Sequence, residues 1–266
     1  MTTAVFHADA DTLATAVTGA VVTLRGEEAR HAATVRRMRA GEAVELVDGA
    51  GLRVSGTVAA TARDELSVAV TAVTREPAPA VRLVLVQALA KGGRDEQAVE
   101  TATELGVDGL VPWQASRSVS VWSGPKVDKG RRRWDAVALA AAKQSRRAWV
   151  PWVHDLVTTR ELVAAVASAV AAGGAVLILH EQATVPLSAA VLPEPGRVSA
   201  GGEAGLARPT DVAVVVGPEG GITDEEVAAL TAAGAQPVLL GPHVLRTSTA
   251  GPAAMAVLSQ RLGRWG

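Results

Sequence analysis

Residues 214–227, VVVGPEGGITDEEV, run from an apolar stretch through a glycine-rich turn into the start of a helix. Val214 to Val216 is short and β-branched, which suits a buried strand. Gly217, Gly220 and Gly221 make the turn, and Thr223 with Glu226 three residues later has the spacing of a reciprocal N-terminal cap. Alone, this pattern also fits a plain tight connection between strand and helix. The question is what approaches the turn so closely that side chains are absent.

The pattern recurs outward from that point. From Val81, apolar strands alternate with helical segments: VRLVLVQAL, then RDEQAVETATEL stopping at Gly106, then GLVPW, RRRWDAVALAAAKQSRR, TTRELVAAVASAVAAG and AVLILH. A strand PVLLG and a closing helix from about Thr249 to Leu262 follow the opening stretch. Such alternation predicts a mostly parallel sheet with helices on both faces. Residues 186–209 are rich in Pro, Gly, Ser and Ala without periodicity and are expected to form a surface loop.

The first 75 residues read differently. EAVELVDGAG, LRVSGTVAAT and DELSVAVTAV are short alternating segments, expected to form a small antiparallel barrel or sandwich, with one helix around Glu27 to Met38. TREPAPAV supplies a linker, so domains at 1–75 and 76–266 are expected.

Composition narrows the chemistry. The absence of cysteine removes disulfides and thiolate ligands or nucleophiles, and fits a reducing compartment. No signal-peptide pattern and no charge-free stretch of bilayer length is present, so a soluble cytoplasmic protein is expected. The net charge of −1 conceals basic clusters at Arg30, Arg36, Arg37 and Arg39, at Lys126 to Arg133, and at Lys143, Arg146 and Arg147. These suit a polyanion footprint, or simply a solvated face. The phosphate-loop, dinucleotide, zinc-helix and nucleophile-elbow signatures are all missing. His7, His31, His154, His180 and His243 are scattered without ligand spacing, so no metal is expected.

Three turns at strand carboxyl ends remain: LILHEQ, VVGPEGG and LLGPHVLRTSTA. In an open parallel sheet, ligands bind beyond those ends, so the three point to one pocket. Arg246 is placed to orient an anion or a base edge, and Thr247, Ser248 and Thr249 to cap the last helix.

GPEGGITDEEV with LGPHVLRTSTA closely resembles the paired C-terminal motifs of the bacterial 16S ribosomal RNA uridine-N3 methyltransferases, a branch of the SPOUT superfamily. LVQALAKGGRDEQAVETATELGVDGLVPW, SRSV, AAKQSRR and HAATVRRMRAGEAVELVDGAG resemble further segments of that family, nearly end to end. The departures are around Gln182, in the long loop to Arg208, and in TSTAGPAA, where Gly251 and Pro252 replace an alanine-rich start; Pro252 is tolerable in a first helical turn.

The resemblance implies a PUA-like RNA-binding barrel followed by an α/β domain ending in a deep trefoil knot, and a homodimer. General topology rules argue against a knot, so the knot rests on the family alone. It implies S-adenosylmethionine as cofactor and methylation of N3 of a specific uridine, uridine 1498, in 16S ribosomal RNA of the small subunit. Adenine would be held around Leu240, Gly241, Val244 and Leu245, with Leu179, His180, Gly217 and Gly220 as the opposite wall and Thr247 and Thr249 beside it. Glu219 is a candidate base, or a stabiliser of the turn; Arg246 would stabilise developing charge or hold the uracil. Arg36, Arg37 and Arg39 would contact phosphates, with Lys91, Arg94, Arg146 and Arg147 extending the track. Two other readings stay open: an RNA-binding assembly factor without catalysis, and a ribose 2'-oxygen methyltransferase.

Overall fold

A computed structural model describes residues 3–193 and 210–265. The chain forms two compact units, Met1–Ala78 with Ala142–Val150, and Pro79–Ala141 with Pro151–Gly266. The segment 142–150, expected in the second domain, packs with the first. Gly51 N–H donates to the Ala148 carbonyl at 3.0 Å, and Trp149 Nε1 donates to the Glu76 carbonyl at 3.2 Å.

The first unit holds β1 (Ala4–His7), α1 (Ala10–Leu13), β2 (Val21–Arg25), α2 (Glu27–Arg30), β3 (Ala43–Val47), β4 (Leu52–Ala62) and β5 (Glu65–Arg75). They form one sheet in the order β1-β3-β4-β5-β2. The expected antiparallel pattern holds except that β1 runs parallel to β3. Phe6 of β1 and Leu24 of β2, the two edge strands, join Leu46, Val54 and Leu66 in one buried cluster, so the sheet must curl around it. Gly56 is required by strand pairing, because a Cβ there would lie 2.4 Å from the Ala69 carbonyl oxygen. The helix expected to Met38 ends early: α2 passes into a π-helical turn over His31–Val35, and Arg37 at φ 52° stops it.

The second unit holds β6 (Val81–Ala88), α3 (Arg94–Glu104), β7 (Gly109–Gln114), α4 (Pro125–Gln144), β8 (Trp152–Val153), β9 (Val157–Thr158), α5 (Thr159–Ala171), β10 (Ala175–Leu179), β11 (Thr210–Val216), α6 (Asp224–Ala232), β12 (Gln236–Val238) and α7 (Thr247–Arg261). The last turn of α4 lies in the segment that joins the first unit. The sheet order is β12-β10-β11-β6-β7-β8, with β9 also on β7, and every pairing is parallel. Both faces are covered. Leu83 and Leu85 of β6 share a core with Val99, Trp134 and Leu258 of α3, α4 and α7, while Val84 and Val86 share another with Leu162 of α5 and Leu230 of α6. Near-continuous apolar strands follow from that double burial.

Three boundaries differ from expectation. Helix α4 starts at Pro125, a favoured first helical residue, and ends before Arg146, which is left-handed at φ 59°. Helix α7 starts at Thr247, two residues early, so Pro252 falls in its second turn and cannot donate to the Ser248 carbonyl. The start of the expected loop is anchored: Leu187 is buried, and the Arg261 guanidinium donates to the Leu187 and Ala190 carbonyls. Residues 194–209 of that loop lie outside the described residues. No helix among the described residues is long and apolar enough to cross a membrane.

Candidate functional site

The opening turn is built locally. Gly221 N–H donates to the Pro218 carbonyl at 2.9 Å, and Gly221 sits at φ 75°, where a side chain would be strained. Both halves of the Thr223–Glu226 capping box are present. The other glycines make room for protein: a Cβ at Gly217 would lie 2.6 Å from Ile222 Cγ1, and one at Gly220 3.0 Å from Arg117 Cβ. Gly241 differs, because a Cβ there would meet no protein atom within 4 Å.

All three turns converge on one cavity of about 620 Å³ in the second unit. Leu179 and His180 line it from the end of β10, and Gly217, Glu219 and Gly220 from the turn after β11. Leu240, Gly241, Val244, Leu245, Arg246 and Thr247 line it between β12 and α7. Thr249 does not line it; its side chain is exposed and its N–H donates to the Arg246 carbonyl at 2.8 Å as the helix begins.

The expected threonine cap of α7 takes another form. Arg246 is the N-cap residue and makes no side-chain cap bond. Thr247 Oγ1 instead donates to the Gly217 carbonyl at 2.7 Å and accepts from Gln87 Nε2 at 2.8 Å. That hydroxyl therefore joins the ends of β6, β11 and α7.

Charge around the cavity is unevenly distributed between paired and free groups. Glu219 takes an Arg94 Nη1 hydrogen bond at 2.8 Å and the Lys91 N–H at 3.3 Å. Burial alone would raise its pKa, but bonds from its own backbone, from Arg94 and from Lys91 outweigh burial and hold the carboxyl below its usual range. A carboxylate so held is a weak proton acceptor, and Arg94 is committed to it. Arg246 is exposed at the cavity and its guanidinium has no hydrogen-bond or ion-pair partner among the described residues.

Arg117, four residues after Trp113, is a cavity residue that the sequence reading does not single out. It lines the cavity and donates from Nη1 to the Gly220 carbonyl at 3.1 Å. The carboxyl-end criterion that picks the other turns applies equally to the end of β7, and would have found it.

Of the basic candidates in the first unit, Arg36, Arg37, Arg39 and Arg146 are exposed and Arg147 is half-buried. Arg36, Arg37 and Arg39 have no side-chain hydrogen bond or ion pair among the described residues. Arg146 is fixed through its carbonyl, which accepts from Arg53 Nη2 at 2.9 Å while Glu45 and Glu76 hold the same guanidinium. Arg147 N–H donates to the Ala142 carbonyl. Among the described residues no group of three or more His, Asp or Glu is placed to hold a metal ion.

A parallel sheet with glycine turns around a carboxyl-end cavity, in a chain that also carries a small sheet domain, defines a class that comparison specifies. Residues 76–259 match the RNA methyltransferase domain family and residues 24–71 the RNA methyltransferase PUA domain family. The chain belongs to this family of RNA methyltransferases. Among similar proteins is the Ribosomal RNA small subunit methyltransferase E of Mycobacterium bovis, 47% identical over 93% of this chain and 89% of its own length. That of Bacillus subtilis is 29% identical over 89% and 88%. A structure of the Neisseria gonorrhoeae Ribosomal RNA small subunit methyltransferase E bound to S-adenosyl methionine shares the fold, with a TM-score of 0.79 at 24% identity over 98% of each chain.

Proposed function

We propose that this methyltransferase uses S-adenosylmethionine to methylate N3 of one uridine, uridine 1498, in 16S ribosomal RNA of the small ribosomal subunit. The observation that carries the reading is the free Arg246 guanidinium at the rim of the cavity where the three turns meet. The named relatives act on small-subunit ribosomal RNA, which supports the substrate class.

The cavity fits the cofactor: about 620 Å³ is the size of a small-molecule site, and Gly241 leaves open space beside its backbone. Leu240, Gly241, Val244 and Leu245 would hold it on one side, and Leu179, His180, Gly217 and Gly220 on the other. Thr247, which also lines the cavity, holds the Gly217 wall through its hydrogen bond. When bound, the group supplies a methyl on a sulfonium, so displacement needs alignment and desolvation rather than a metal.

Uracil N3 is protonated at neutral pH, so as N3–CH3 forms and the methyl leaves sulfur the N3 proton must pass to solvent water, and the charge that develops on the base must be stabilised. Arg246 has the planar, permanently charged donors for a uracil oxygen. Glu219, already ion-paired, fixes the glycine turn. Arg36, Arg37 and Arg39, with Lys91, Arg146 and Arg147, supply phosphate contacts. With the family we further infer that 1–75 is the RNA-binding domain and 76–266 the methyltransferase domain, apart from the 142–150 segment that packs with the first unit, and we infer a knotted C-terminal region, a homodimer and action in the cytoplasm.

The test is nucleoside analysis of small subunits lacking the modification after incubation with enzyme and S-adenosylmethionine. N3-methyluridine is expected. A 2'-O-methylated nucleoside, or no methyl incorporation, would overturn the reading.

A further inference from the structure

Glu226 does more than cap α6. Its side chain is almost wholly buried, and one carboxylate oxygen accepts from Ser116 N–H at 2.8 Å, Ser116 Oγ at 2.9 Å and Thr159 Oγ1 at 2.8 Å. The other accepts from Thr223 N–H at 3.1 Å. Four donors on one buried carboxylate pin the loop after β7 to the start of α5 and to the glycine turn.

Arg117 is the next residue along that pinned loop. Its side chain lies so close to Gly220 that a Cβ there would press on it, and Nη1 is anchored on the Gly220 carbonyl. A guanidinium has five donors in a planar fork. The rest have no hydrogen-bond or ion-pair partner among the described residues, although the residue is exposed and lines the cavity. Glu225 lies near enough to feel the Arg117 charge, and Asp224 also lines the cavity, but neither forms an ion pair with it among the described residues.

Strand order gives the direction. The sheet runs β12-β10-β11-β6-β7, so the loop after β7 enters the cavity from the side opposite the β12 turn, where the adenine is expected. An anchored arginine with spare donors at that end of the strand order has donors free for a second ligand that enters the cavity.

We propose that Arg117 holds a phosphate of the acceptor RNA strand at the cavity mouth, and that Glu226 is its positioning residue. This rests on the RNA-methyltransferase reading above. A rigid fork half-committed to a backbone carbonyl is stiff, so it contributes to binding without a large ordering loss. A side chain that merely braced the glycine turn would need the Gly220 bond and nothing more.

The experiment is equilibrium binding of the full chain to purified small ribosomal subunits lacking the modification, across a monovalent-salt series, with cofactor affinity followed separately by calorimetry. Arg117→Ala should raise Kd for the subunits about tenfold and lower the salt slope by roughly 0.7, as neutralising one single-strand phosphate fewer requires, with cofactor Kd within about twofold. Arg117→Lys should restore most of the slope. Glu226→Gln should weaken subunit binding, and its effect should not add to that of Arg117→Ala. Unchanged subunit Kd and salt slope in Arg117→Ala would overturn the proposal whether or not cofactor affinity moves, because that is the behaviour of a brace. Since binding is read without turnover, a wild-type chain that binds subunits but transfers no methyl would sink the functional reading and leave this test intact.

Discussion

Thr247 Oγ1 donates to the carbonyl of Gly217 at 2.7 Å across 30 residues of chain, and the same oxygen accepts from the buried Gln87 amide. One hydroxyl thus fixes the relative height of two cavity walls. Thr247→Val keeps the shape and removes both bonds, so it should cost about 1–3 kcal/mol in urea unfolding and weaken S-adenosylmethionine binding in calorimetry. Thr247→Ser should restore both. Wild-type affinity and stability in the valine variant would show that the walls are set elsewhere.

Glu219 gives a pH test with a definite sign. Its pKa is depressed by hydrogen bonds that outweigh burial, so the Arg94 pairing is fully present above the ordinary carboxylate range and is lost as pH falls through the lower, folded value. Cofactor affinity should therefore hold steady from neutral pH down to mild acid, as far as this group controls it. Glu219→Gln should mimic the acid form, loosening the turn while reducing the single-turnover rate less than about tenfold, the smallest gain general-base catalysis normally explains being larger. A loss of about a thousandfold in Glu219→Gln at saturating cofactor would make Glu219 the base after all.

Much of the site was legible because it is local in sequence. The capping box and the turn are contiguous, and their hydrogen bonds join neighbours. What the same residues do at a distance was not legible: Glu226 reaches Ser116 and Thr159, separated from it by 110 and 67 residues, and no spacing rule encodes that. The glycines mark close approach, and an added Cβ at 217 or 220 would meet Ile222 or Arg117; the Arg117 contact lies across the fold, and the local sequence does not encode it. The early ends of two helices were hidden for another reason. Arg37 and Arg146 take the left-handed conformation usually left to glycine or asparagine, so composition carries no stop signal there.

The exposed arginines of the first unit separate positioning from chemistry. Replacing Arg36, Arg37 and Arg39 together with glutamine should weaken RNA binding and reduce the log–log salt slope by roughly 0.7 to 0.9 for each phosphate that the variant no longer neutralises. Cofactor Kd should stay unchanged, since none of the three lines the cavity. A salt slope equal to wild type in filter binding would reduce the cluster to a solvated face.

The most direct measurement is the single-turnover methylation rate of Arg246→Lys on small subunits at saturating cofactor. Lysine keeps the charge but loses the planar pair of donors, and Arg246 caps α7 through its backbone alone, so fold and cofactor Kd should be unchanged. The rate should fall on the order of a hundredfold, the typical cost of one well-placed donor to developing charge. A near-normal rate, accompanied by a lower melting temperature and weaker cofactor binding, would contradict the account and leave Arg246 as an anchor of the loop.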